Sequence, residues 1–298
     1  MRYRATAAIA VVSGALALTT AAIPAAQATG PAHPAAPAGS RSPATTSGRL
    51  APAVNTTNTM NVTFSNVDID KGAAYVAAGT TNTVPVPYTY TLTATGVDPT
   101  KDFSTSLDLY RGAVASPDNL LSGNHAGCEH ASTTTGAGGA TTVTETCSGT
   151  VDIHPDDLAT ADAGATWKGV AYAFDSATSG WAQHGTWPAP TIKRWGTLTD
   201  DANPEPVTKG DDVTVTGTLS RASWDTHKYW GYAGEPVKLQ FRPATSSTYT
   251  TLKTVTTNSD GEVTASSPAT VDGYWRLSFA GSTTTVPSTP TGDYVDVR

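Results

Sequence analysis

The chain has 298 residues, with 18 Lys+Arg against 25 Asp+Glu, a formal net charge of −7 and 14% charged residues. That sign, with no Lys/Arg run to counter it, excludes nucleic acid and anionic lipid surfaces as partners, because both need a concentrated positive field. After the N-terminal segment no stretch approaches the roughly 18 apolar residues of a membrane helix, so no membrane insertion is expected.

Residues 1–28 read as a signal peptide: Arg2 and Arg4 precede an apolar run from Ala5 to about Ala22, and Ala26-Gln27-Ala28 is a small-x-small cleavage site. Ser13, Gly14 and Pro24 break the run and disfavour an anchor, and no Cys stands near the site to carry a lipid. Cleavage after Ala28 removes Arg2 and Arg4, leaving 16 basic against 25 acidic residues, a net of −9. The expected location is secreted and extracellular. Residues 29–58 are rich in Pro, Ala, Ser and Thr, with Leu50 and Val54 as the only large aliphatic residues, and read as a disordered linker.

The remaining chain is all-β in pattern and long enough for two tandem Ig-like β-sandwich domains, at 59–191 and 192–298. In the first, Val62 and Phe64 mark a strand. Tyr88, Tyr90, Leu92 and Ala94 alternate with Thr89, Thr91 and Thr93, the pattern of a half-buried strand. Leu107 and Leu109 repeat it, as do Val170, Tyr172 and Phe174. Asp156 to Ala163 predicts one helical turn at most.

Cys128 and Cys147 are the only cysteines, and export favours a disulfide between them. Their midpoint falls in Gly136-Ala-Gly-Gly139, so a hairpin turning there sets them opposite each other. Closing that loop stabilises by roughly 3 kcal/mol in the chain-entropy model. His125, Cys128, Glu129 and His130 also resemble a metal-ligand cluster, a reading that requires Cys128 to be withheld from Cys147.

In the second half, Thr197 to Val207 predicts an edge strand interrupted by Pro204 and Pro206. Val213, Val215, Gly217 and Leu219 then alternate with three threonines. Val237, Leu239 and Phe241 form another strand. Asn258-Ser-Asp-Gly261 predicts a hairpin turn between 252–256 and Val263. Trp275, Leu277 and Phe279 face inward against Tyr274, Arg276 and Ser278, and the chain closes on Val295 and Val297. Ser223 to Tyr232 reads as a loop in which Trp224, His227, Tyr229, Trp230 and Tyr232 make a candidate binding surface, since exposed rings stack on sugars or anchor proteins. Trp224 and Tyr232 are expected to roll inward, leaving Tyr229 and Trp230 exposed.

Calcium is the one cofactor the acidic loops suggest, weakly at Asp200, Asp201 and Asn203, expected near the domain junction; solvated turn carboxylates account for the same residues. His154, His184 and His227 are scattered. No Gly-x-Ser-x-Gly elbow, HExxH, P-loop or dinucleotide fingerprint occurs, so no catalytic residue is assigned.

The segments PEPVTKGDDVTVTGTLSRASW, PVKLQFRP, NSDG, DGYWRLSFAG and GDYVDVR together resemble a recurrent Ig-like domain of uncharacterised secreted actinobacterial proteins. VTFSNVDID and SLDLYRG are similar to the module that precedes it there. The resemblance implies two Ig-like domains in tandem and a packing role for Trp224, Tyr232 and Trp275. The expected function is a secreted, non-catalytic binding or surface-structural protein whose partner is an extracellular protein or cell-wall glycan. The alternatives are an extracellular glycan-processing or other hydrolytic enzyme, and a calcium-stiffened adhesin-like module.

Overall fold

A computed structural model describes residues 59–298. The expected signal peptide (1–28) and linker (29–58) lie outside the described residues. The described chain is all-β and forms two Ig-like sandwiches, with three short 3-10 turns as its only helical elements. No helix among the described residues is long and apolar enough to cross a membrane.

The first sandwich contains β1 (Val62–Ile69), β2 (Tyr75–Ala78), β3 (Val84–Thr95), β4 (Phe103–Ala113), β5 (Ser116–Leu121), β6 (Gly127–Thr135), β7 (Thr141–Ile153), β8 (Trp167–Asp175), β9 (Gly180–Pro188) and β10 (Thr191–Arg194). One antiparallel sheet runs β1-β3-β7-β6 and the other β5-β4-β8-β9, while β2 pairs in parallel with β10. The alternation in β3 decides its orientation: Val86, Tyr88, Tyr90, Leu92 and Ala94 are buried and the threonines turn outward. Tyr88 and Tyr90 stack 5.8 Å apart, and the Tyr90 hydroxyl pairs with Thr105 Oγ1 of the facing sheet at 2.6 Å.

Rings of that size leave space only for small side chains opposite. On β8 the inward face is Gly169, Ala171 and Ala173, with Trp167 at the strand start. A Cβ on Gly169 would stand 2.5 Å from Ile69 Cδ1. Val170, Tyr172 and Phe174 therefore point away, and Phe174 is exposed, reversing the face expected for this strand. Ile192 of β10 belongs to the first core, so the boundary drawn at 191/192 falls inside a strand. The chain leaves the first sandwich at Trp195, whose N–H donates to the Ala78 carbonyl at 2.9 Å.

The second sandwich contains β11 (Gly196–Leu198), β12 (Asp201–Asn203), β13 (Asp212–Ser223), β14 (Lys228–Gly231), β15 (Pro236–Pro243), β16 (Thr250–Thr256), β17 (Glu262–Pro268), β18 (Gly273–Phe279) and β19 (Asp293–Val295). β13 is central to one sheet, flanked by β11 and β12 along one edge and by β14 and β17 along the other. The facing sheet runs β16-β15-β18-β19. Val213, Val215, Leu219, Leu239, Trp275, Leu277 and Phe279 meet in the core, as the period of two requires. The Asn258–Gly261 turn forms, with Gly261 N–H donating to the Asn258 carbonyl at 3.1 Å and Gly261 at φ 79°. It does not close a hairpin: β16 and β17 lie in different sheets, so the turn is a corner between layers.

Candidate functional site

The stretch Ser223–Tyr232 is a hairpin rather than a loop. β13 pairs with β14 so that Ser223 faces Lys228 and Arg221 faces Trp230, and the connecting turn holds His227 at φ 52°, a left-handed position that favours few residues. The turn reaches into the first sandwich. Trp224 is 1% exposed and belongs to the first core, with its indole N–H aimed at the Ala78 carbonyl, 3.4 Å away. The Arg194 guanidinium lies 5.0 Å from the Trp224 ring and donates to the Ala222 carbonyl at 3.3 Å and to Thr160 Oγ1 at 2.9 Å. Thr160 in turn donates to Asp225 at 2.7 Å. His227 Nδ1 meets the Thr80 carbonyl at 3.0 Å, and its Nε2 lies 3.4 Å from Asp156.

Trp224 is thus removed from the candidate binding surface and serves as a plug between the sandwiches. Tyr232 is also buried: its hydroxyl pairs with Ser282 Oγ at 3.1 Å, its ring meets Phe279 edge-on at 5.9 Å, and the Arg221 guanidinium covers it at 4.0 Å. Both rings do the packing work that the resemblance implied. Tyr229 and Trp230 remain at the surface, 41% and 56% exposed. Trp230 is held in one orientation by the bond from its indole N–H to Thr226 Oγ1, 2.8 Å long.

The acids proposed for calcium do not converge on one point. Asp201 and Asn203 are exposed on β12 and hydrogen-bond to each other. Asp200 turns inward to the Leu277 N–H; burial, with the Asp293 carboxylate nearby, pushes its pKa up to about 6, and Oδ2 has no hydrogen-bond partner. β12 pairs with Thr214–Thr216, away from the Leu219–Ser223 part of β13 whose end meets the first sandwich. An ion here would not bridge the two sandwiches, contrary to the expected junction position.

Cys128 and Cys147 form the expected disulfide. They face each other across β6 and β7 with Cα atoms 4.0 Å apart, in a hairpin that turns at Gly136–Gly139. The sulfurs are therefore spent, and the metal reading of His125, Cys128, Glu129 and His130 fails. Among the described residues one group of three potential ligands has donor atoms within 4.8 Å of one another: Cys128, Cys147 and Glu145. Glu145 was not singled out in the sequence. It occupies the inward register of β7, between Val143 and Cys147, and is 4% exposed. Burial raises its pKa, the facing His130 opposes that shift, and the Asp98 carboxylate adds to it. The available signal was a charged residue at an apolar position of an alternating strand. Glu145 lines a cleft of about 470 Å³ with Pro99, Thr100, Phe103, His125 and His130.

Neither a family model nor a curated protein matches the chain. Among solved structures it is similar to a chimeric titin Z1Z2 tandem, 12% identical over 78% of this chain and 99% of that one, with a TM-score of 0.26. It is also similar to the D0–D1 domain of intimin (13% identical, 78% and 100% covered, TM-score 0.24). A third likeness is to the three N-terminal domains of the Hoc outer capsid protein of bacteriophage RB49 (10% identical, 80% and 70% covered, TM-score 0.29). At these TM-scores the likenesses carry no argument, and the Ig-like assignment rests on the sheet order above.

Proposed function

We propose that the chain is a secreted, non-catalytic module that acts by binding or spacing at the cell surface, and that it belongs with the secreted actinobacterial proteins it resembles. The observation that supports this most is the seating of Trp224 in the first core, locked by Arg194, Thr160 and Asp225. A joint of that kind suits a molecule that must hold surfaces at a defined separation, whereas a linker would suffice for independent domains. The ring fixed at Trp230 is the surface offered to an extracellular protein or cell-wall glycan. Export rests on residues 1–28 and agrees with the disulfide.

The test is fractionation of the producing culture, followed by N-terminal sequencing and retention of envelope glycans and proteins on the immobilised mature chain. The expected result is extracellular protein beginning at Thr29, with retention reduced by Trp230→Ala. Protein confined to the cell, or retention indifferent to that substitution, would count against the reading. A hydrolytic function has one observation in its favour, the raised pKa of Glu145 beside a cleft. Turnover of glycan or ester substrates that disappears in Glu145→Gln would establish it.

A further inference from the structure

Inward positions of β7 carry Val143, Glu145, Cys147, Val151 and Ile153, so Glu145 sits in core register near the end of the first sandwich remote from Trp224. No hydrogen bond or ion pair found among the described residues ends on its carboxylate, and it is more than nine-tenths buried. What solvent it does reach is the cleft it lines. An adjoining cleft of about 630 Å³ shares Thr100 and His130 and adds Asp98. The charged and titratable groups around the carboxylate are His130 on β6, His125 just before it, and Asp98 in the β3–β4 turn, with Lys101 beside Asp98. No lysine or arginine lines either cleft.

A carboxylate with little access to water and no hydrogen-bond donor is less favourable when ionised, and a cation that reaches it through the cleft offsets that cost. The walls suit a particular kind of cation. Pro99, Phe103, Ala126 and Cys128 offer apolar walls for an alkyl stem, and the hydroxyls of Thr100 and Ser104 can accept hydrogen bonds from its head group. A bare metal ion lacks a ligand set, because the two sulfurs are bonded to each other and neither imidazole lies in the close group with Glu145. We infer that this cleft is a docking site for a lysine or arginine side chain of a partner protein, with Glu145 as its counter-charge. The inference rests on the reading of the chain as a binding module and adds the chemistry of what it holds.

The probes are n-butylammonium and ethylguanidinium chloride, titrated into the full mature chain and followed by amide NMR shifts, with sodium chloride at equal ionic strength as reference. Saturable shifts at Glu145, Cys147 and His130 are expected, weakening as acid protonates Glu145 and at least about tenfold weaker in Glu145→Gln, a loss near 1.4 kcal/mol. Shifts reproduced by sodium chloride, or equal affinity in a Gln variant that keeps its disulfide and melting transition, overturn the inference. Should that variant not fold, wild-type affinity that stays constant through the acid range does the same. If the probes fail to bind while the immobilised chain still retains a partner through Trp230, the docking site is wrong and the module reading stands.

Discussion

The two ends of the first sandwich were finished in opposite ways. Where β7 runs out at Ile153, the turns at 155–157 and 160–162 meet the Trp224 hairpin, and an indole, a guanidinium and a hydroxyl–carboxylate bond close the core. Eight residues earlier, roughly 25 Å along the strand, the buried Glu145 carboxylate stands in the core register next to the Cys128–Cys147 bridge. The first end is aromatic and filled; the second is polar and opens into a cleft. Aromatic clustering in a sequence therefore does not by itself mark a recognition surface, because a tandem neighbour can consume it. An isolated acid in a core register is the feature left with unused chemistry.

The largest effect is expected at the filled end. Trp224→Ala deletes a fully buried ring and leaves Arg194 without its aromatic partner, and should cost about 3–5 kcal/mol. Calorimetry should show it as a lowered first transition that separates from the second; a single unshifted transition would contradict the plug. At the cleft end, replacing Cys128 and Cys147 together by Ala should cost roughly 3 kcal/mol, read from denaturant melts, and should spare the second sandwich. If both sandwiches lose stability equally, the ends are not independent.

Asp200 sharpens the contrast from within the second sandwich. Its pKa in the folded state, about 6, exceeds its ordinary 3.8 because it is buried, so the folded protein retains a proton that the unfolded chain releases. Stability should fall as pH rises from about 4 to 6, and Asp200→Asn should remove that slope, worth on the order of 1–2 kcal/mol after solvent screening. Melting temperatures of both proteins across that range check it. The smallest effect belongs to Trp230→Ala, which should move stability by no more than about 0.5 kcal/mol. A larger loss in urea titration would show that this ring, too, belongs to the packing.

Much of the fold was legible because period-two alternation and turn chemistry are local. The threonine-backed face of β3, the inward Trp275, Leu277 and Phe279, and the pairing of Cys128 with Cys147 all follow from residues near one another along the chain. The burial of Trp224 and Tyr232 and the exposure of Tyr229 and Trp230 were legible as well. Their surroundings were not, since Ala78, Thr80, Asp156 and Thr160 come from the other sandwich.

By itself, then, the sequence determined an all-β chain, the inward faces of β3, β13 and β18 and the disulfide, each set by backbone period or by a short symmetric loop. The edge strand expected over Thr197 to Val207 is instead two short strands, β11 and β12, that end before Pro204. Only the tertiary structure decided which face of β8 turned inward, because both faces are apolar and the volume of Tyr88 and Tyr90 opposite settles the choice. It likewise decided that the Asn258–Gly261 turn changes sheets, because a turn specifies a reversal and not a strand's next partner. And it alone placed Glu145 in a core position beside a cleft, with His130 facing it, since burial is a property of what the rest of the chain brings near.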